Sequence, residues 1–182
     1  MDDFKIDKEK LLEIFLKINE RLEGKEATLY AVGGTALTYL ELKDFSIDMD
    51  FILNPQDWNS VGRVLDGISE EYGVRIDKFF NGHIIYYTLP LDFREKTLDL
   101  VQEGSLKMEA PCLTDILLMK WIANRPKDEK DIGSILKNLE SDGKETSSRL
   151  ESYSFDDPLH GYIKKALVRD FIIDHFSKIE KK

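Results

Sequence analysis

Two aspartates one residue apart, Asp48 and Asp50, are the side chains of this sequence best suited to chemistry. On an extended strand alternate side chains point to one side of the sheet, so the two carboxylates can share a hard divalent cation. Their neighbours Ile47, Met49, Phe51, Ile52 and Leu53 read as buried on both faces. Carboxylates in such a setting are costly unless something compensates them, and a cation is the obvious compensation. About fifteen residues earlier the apolar run Leu29–Val32 enters Gly33-Gly34-Thr35. A glycine turn that opens a helix can bring backbone N–H groups up to a phosphate. A phosphate cradle joined to paired carboxylates points to metal-assisted chemistry on a nucleoside triphosphate.

A third carboxylate from a neighbouring strand would complete a two-cation site, which stabilises both the attacking and the leaving oxygen of an in-line displacement. Asp99, in Leu98-Asp99-Leu100-Val101, has the right strand-like, apolar setting. Asp77, followed by Lys78, and Asp92, just after Pro90, are its rivals, and both read as strand-end or loop residues. The glycines match neither common nucleotide loop: no Gly-Lys-Ser/Thr follows, and the dinucleotide spacing is absent. Cys112 is the only cysteine and reads as a buried, inert thiol; His83, His160 and His175 form no catalytic or metal-binding pattern.

The elements that must position these residues follow from periodicity. Ile6–Leu22 has helical spacing, with Leu11, Leu12, Phe15, Ile18 and Leu22 as its stripe. Leu29–Val32 is a short strand, Thr35–Leu42 a helix, and Ile47–Leu53 a strand broken by Asn54-Pro55. Trp58–Tyr72 is an amphipathic helix ending near Gly73. Val74–Phe80 and His83–Leu89 read as a hairpin turned by Asn81-Gly82. Thr97–Val101 is a further strand, with Leu106–Met108 as another. Beyond it the chain is helical: Thr114 caps a helix to Asn124, a second covers Asp128–Leu139, a short one Glu145–Ser152, and the last runs from Asp157-Pro158 to about Ile179. In that last helix Leu159, Ile163, Ala166, Leu167, Phe171 and Phe176 form the expected buried face. The class is α+β or α/β without regular βαβ alternation: a sheet core over residues 1–110 and a helical region, 111–182, packed on it.

Composition narrows the setting. With 182 residues, 42% of them apolar, the chain can bury a core. A net charge of −9 disfavours general binding to nucleic-acid backbone, although a local basic groove is compatible with it. No apolar run approaches a membrane span, and the charged start MDDFKIDKEK carries no signal segment, so the expected compartment is the cytosol, with no membrane partner.

Gly33-Gly34, a helix, Asp48-x-Asp50 and a later Asp99 together resemble the signature of the nucleotidyltransferase superfold to which DNA polymerase beta belongs. Leu113–Ile132 is similar to the helical signature of small prokaryotic nucleotidyltransferase-like proteins, among them the AbiEii-type toxins of abortive-infection systems. There a helical lysine precedes an arginine and a Lys-Asp-x-x-Asp run, here Lys120, Arg125, Lys127, Asp128 and Asp131. The resemblance spans Tyr30–Leu139. It implies a mixed sheet flanked by helices and transfer of a nucleoside monophosphate from a nucleoside triphosphate to an acceptor hydroxyl. Gly33 and Gly34 would approach the triphosphate, with Thr35 offering a hydroxyl. Asp48, Asp50 and Asp99 would hold two magnesium ions (or manganese), Asp99 also helping to deprotonate the acceptor. Lys120 would contact phosphate or nucleotide, and Asp128 and Asp131 would shape the cleft. The acceptor, whether RNA, protein or small molecule, stays open, as do the base and the oligomeric state. A non-catalytic nucleotide or metal sensor, or a toxin-like regulator, is the alternative; a structural interaction domain with an incidental Asp-x-Asp is a third reading.

Overall fold

The computed structural model describes residues 5–179. Asp7 caps the first helix, α1 (Lys8–Arg21), by accepting a hydrogen bond from the Lys10 N–H at 2.9 Å. The stripe of α1 buries Leu11, Ile14, Phe15 and Ile18, and Leu12 lies at its edge. β1 (Ala27–Ala31) runs into the glycine turn and α2 (Gly33–Tyr39), which leads to β2 (Asp48–Leu53). α3 (Trp58–Tyr72) ends on Gly73, whose φ of +62° is the left-handed C-cap that glycine adopts without strain, and β3 (Arg75–Phe80) follows. β4 (His83–Ile84) and β5 (Tyr87–Thr88) form a minimal hairpin, and β6 (Thr97–Glu103) and β7 (Leu106–Pro111) a longer one. The helices α4 (Leu113–Ala123), α5 (Glu129–Asn138) and α6 (Gly143–Glu151) come next, then β8 (Ser154–Phe155) and α7 (Pro158–Ile179). Asp157 caps α7, accepting from the N–H groups of Leu159 and His160 at 2.8 and 3.1 Å.

The architecture is α+β. The chain divides into two compact units, one made of residues up to Gly82 with Thr97–Pro111, the other of His83–Lys96 with Cys112 onwards. The first unit holds a mixed five-stranded sheet in the order β3-β2-β1-β7-β6. β2 lies antiparallel to β1 and parallel to β3, while β7 lies parallel to β1 and antiparallel to β6. Register partners share a face. One face therefore carries Leu29, Ala31, Met49, Phe51, Leu53, Met108 and Ala110, all fully buried. Helix α3, with Val61, Leu65 and Ile68 buried, packs on the β2 and β3 part of this face, where Lys78, opposite Phe51, donates to the Gly62 carbonyl. The other face carries Asp48, Asp50 and Ile52 of β2, Arg75 and Asp77 of β3, Tyr30 of β1, Glu109 of β7 and Asp99 of β6.

The second unit holds the three-stranded sheet β4-β5-β8 and helices α4–α7. Here α4 is buried over Asp115–Ile122, charged residues included, so each charge on it needs a partner inside the unit.

Three expectations are corrected. Asn81 and Gly82 do turn with positive φ, but β3 pairs along its whole length with β2 and β4 pairs with β5, so no hairpin joins the strands on either side of that turn. Ile47 precedes β2 and is half-exposed. In α7, Leu159 and Ile163 are 68% and 56% exposed, while Val168 and Ile172 carry the burial; apolar residues lie around most of this helix, so their period does not single out one face. Among the described residues no helix is long and apolar enough to cross a membrane.

Candidate functional site

The glycine turn and the first aspartates are locked together by short-range packing. Gly33 sits at φ +58°, a left-handed conformation, and a Cβ built on it would lie 2.8 Å from the Asp50 Oδ2 atom. Glycine is required twice over at this position, once for its backbone angle and once for the room it leaves to a carboxylate. A Cβ on Gly34 would collide with the Ser46 hydroxyl, which also donates to Asp48 Oδ1 at 3.2 Å. Ser46 is itself pinned, because its backbone exchanges hydrogen bonds of 2.8 and 2.9 Å with Ile6. Helix α2 has no side-chain N-cap and only seven residues, so what distinguishes this turn is close backbone approach rather than a helix dipole.

Thr35 serves this geometry differently from expectation. It is fully buried, and its hydroxyl accepts the backbone N–H of Asp50 at 2.8 Å. The hydroxyl therefore holds the turn against β2 and is not presented to a ligand.

Asp48 and Asp50 are both half-buried on one side of β2. Across the parallel pairing Asp50 faces Asp77 and Asp48 faces Arg75. The Arg75 guanidinium binds Asp77 through two hydrogen bonds, the Nε donating to Oδ1 at 3.1 Å and Nη2 donating to Oδ2. Its proton is held more firmly than usual, chiefly by the bond to Asp77 and that charge, with smaller contributions from Asp48 and Asp50. One arginine thus lies in the field of three carboxylates.

Asp99 is elsewhere. It lies on the opposite edge strand, three strand steps from β2, or about 14 Å at the usual spacing between strands. Its side chain is largely exposed, and Lys107 bridges it at 2.7 Å to Glu109 at 2.5 Å. The sheet therefore keeps Asp99 away from Asp48 and Asp50, and the neighbouring carboxylate is Asp77. The flanking leucines of Asp99 show that it belongs to a strand, not where the strand sits. The sequence signal for Asp77 was the alternation Arg75-x-Asp77, the same period as Asp48-x-Asp50.

The second unit contains two buried charge networks. Lys120, almost fully buried, donates to Asp128 Oδ1 at 2.8 Å and to Asp131 Oδ2 at 2.7 Å. Arg125 Nε donates to Asp128 Oδ2 at 2.7 Å. Burial pushes the Asp128 carboxyl up, but the bonds from Arg125 and Lys120 outweigh it and leave the group below its ordinary value. Lys127, by contrast, is exposed. In the other network Asp115 is fully buried and accepts from Arg149 Nε at 2.8 Å, Arg149 Nη2 at 2.7 Å and the Tyr153 hydroxyl at 2.9 Å. Asp92, the other rival for third carboxylate, accepts from Arg149 Nη1 at 2.5 Å and pairs with Lys96 at 3.0 Å. Burial and then Asp115 push the neighbouring Cys112 thiol up, which makes it a poor nucleophile. The sequence reading missed this second network: Asp115 reads as a helix-start charge, and nothing local pairs it with an arginine 34 residues away.

A model of the family described as "Nucleotidyltransferase of unknown function (DUF6036)" matches residues 9–155. The chain belongs to this family. No curated protein and no solved structure gives a significant match. The nucleotidyltransferase match takes in the first helix, the whole five-stranded sheet and the second unit as far as β8, and so reaches beyond the Tyr30–Leu139 span of the resemblance at both ends.

For a nucleotidyltransferase the fit of a cation can be tested on the site itself. Among the described residues no three His, Cys, Asp or Glu side chains form a ready-made metal cage. Magnesium does not need one, because it is commonly bound by one or two carboxylates with substrate phosphates completing the shell. Asp48 and Asp50 supply two such carboxylates on one face. The Gly33 turn, kept clear of any Cβ, lies directly against one of them.

Proposed function

We propose that this chain is a magnesium-dependent nucleotidyltransferase that moves a nucleoside monophosphate from a nucleoside triphosphate to an acceptor hydroxyl and releases pyrophosphate. The observation that carries the reading is the closeness of Gly33 to Asp50: a half-buried backbone turn that only glycine can make is held against a carboxylate able to share a triphosphate's cation.

Asp48 and Asp50 would hold the cation, and Asp77, across from Asp50, replaces Asp99 as the third carboxylate a second ion would use. Magnesium when bound supplies charge neutralisation for the phosphates. The residues do the positioning. The Gly33-Gly34 backbone admits the triphosphate, Thr35 sets the distance between turn and strand, and Ser46 orients Asp48 by donating to its Oδ1. Positioning and electrostatics of this kind dominate phosphoryl-type transfers.

The test pairs titration calorimetry with label transfer. The wild type should bind at least one of MgATP, MgGTP, MgCTP and MgUTP, and Asp50→Asn should lose that binding by tenfold or more while keeping its thermal melt. Equal binding by both proteins rejects the site. Incubation with α-labelled nucleotides and a lysate then separates the enzyme from a non-catalytic sensor or toxin-like regulator. Label on RNA, protein or a small molecule, absent with Asp50→Asn, supports transfer; binding without transfer supports the sensor.

A further inference from the structure

Asp77 stands in register with Asp50, and its carboxylate is held by Arg75. The guanidinium grips both oxygens of the Asp77 carboxylate. Arg75 also stands opposite Asp48 in the pairing of β2 with β3, so its charge sits among all three carboxylates. In this arrangement the arginine does electrostatically what a cation would do. The grip is an exchangeable one, because the Arg75 side chain is 71% exposed and that of Asp77 is 31% exposed. A pair so open to water is weakly held and screened, and another anion can compete for it. A triphosphate is the stronger competitor, since an arginine fork matches phosphate oxygens as well as a carboxylate.

We propose that Arg75 is an exchangeable counter-ion: it occupies Asp77 in the nucleotide-free protein and, by passing to the triphosphate, releases Asp77 to the cation. This rests on the reading of Asp48 and Asp50 as the cation carboxylates. It makes Arg75 a positioning residue that couples metal loading to nucleotide arrival. The free protein holds divalent cations poorly, and the incoming triphosphate brings both its own ligands and the trigger that frees a third carboxylate.

The test reads two affinities in the full chain whose changes have opposite signs. Manganese binding without nucleotide is followed by the electron paramagnetic resonance of free Mn²⁺. Binding of non-hydrolysable ATP, GTP, CTP and UTP analogues is measured separately, with EDTA present. Arg75→Gln removes one positive charge and frees Asp77, so it should tighten Mn²⁺ on the order of tenfold. It should weaken metal-free triphosphate severalfold. Asp77→Asn should move both affinities the other way, and Arg75→Gln with Asp77→Asn should lose the Mn²⁺ gain. A residue needed only for the fold would weaken both ligands together, and thermal melts of each variant identify that case. Unchanged Mn²⁺ affinity in Arg75→Gln, or changes of the same sign for both ligands, overturns the proposal. The underlying site is judged apart from it: if Asp50→Asn binds Mn²⁺ as the wild type does, the cation site itself is wrong, whatever Arg75 does.

Discussion

Replacing Gly33 by alanine tests the central contact, and Gly73 supplies its control. Both glycines have left-handed φ, +58° and +62°. An L side chain in that conformation costs about 1–2 kcal/mol. In a chain of this size each substitution should therefore lower Tm by about 2–8 °C. The surroundings differ. Nothing lies within 4 Å of a Cβ on Gly73, whereas a Cβ on Gly33 would stand 2.8 Å from Asp50 Oδ2, closer than Cβ atoms tolerate. The Asp50 carboxylate must swing away, and a cation that needs it loses one of two protein ligands. Losing a charged ligand of this kind is worth at least ~1.4 kcal/mol, or tenfold in affinity. Gly33→Ala should thus show the melting shift together with a tenfold or greater loss of Mn²⁺–nucleotide affinity by calorimetry. Gly73→Ala should show the melting shift alone. If Gly33→Ala binds Mn²⁺–nucleotide as tightly as the wild type, the carboxylate beside the turn is not a cation ligand. If both variants lose binding alike, backbone strain rather than the contact is responsible.

Two further outcomes concern the buried networks of the second unit. Arg149→Met leaves the fully buried Asp115 carboxylate with the Tyr153 hydroxyl in place of a charged fork. Breaking a buried pair from one side costs about 3–5 kcal/mol, while replacing both partners is often nearly neutral. Urea unfolding followed by Trp121 fluorescence in a Trp58→Phe background should show that loss for Arg149→Met and most of it recovered with Asp115→Leu added; equal losses would refute the assignment. The second outcome is a pH dependence. Because Asp128 titrates below its ordinary 3.8 in the folded chain, its ionised form contributes stability above that pH, and the contribution disappears as the pH falls through the folded value. The stability gap between wild type and Asp128→Asn, measured by urea midpoints from pH 6 to pH 3, should be widest at pH 6 and close towards pH 3; a gap independent of pH would show that the charge of Asp128 does not matter.

What could be read from the sequence was local. Asp48 and Asp50 alternate on a strand whose apolar neighbours declare it, and the glycines need only the residues beside them to define a turn. What could not be read was pairing. Thr97–Val101 and Arg75–Phe80 are both plausible strands bearing one aspartate, and the leucines around Asp99 make it look the more buried. The sheet order reverses that impression, because β3 joins the free side of β2 while β6 becomes the far edge, where Asp99 is more exposed than Asp77. Asn81-Gly82 misled for the same reason: a turn signal states that the chain bends, not that the strands on either side meet. Asp115 passed unnoticed because a single charge at a helix start defaults to solvent, and Lys120, expected at a phosphate from the resemblance alone, lies instead on a helix that only the folded unit reveals as buried.

The pairing of charges separates scaffold from site. In the second unit the buried ions answer one another: Arg149 answers Asp115, and Lys120 answers Asp128 and Asp131. For Lys120 to reach a phosphate it would have to abandon two buried carboxylates. Breaking such a pair costs about 3–5 kcal/mol, whereas a charged hydrogen bond to a ligand returns only about 1.5–3 kcal/mol. The balance favours leaving Lys120 where it is. The opposite holds around β2. Asp48, Asp50 and Asp77 share one face, and the arginine that grips Asp77 is exposed to water. An ion pair open to water is exchanged for an external ion far more cheaply than a buried one, so the proposed chemistry sits better on β2, while the helical networks hold their own unit together.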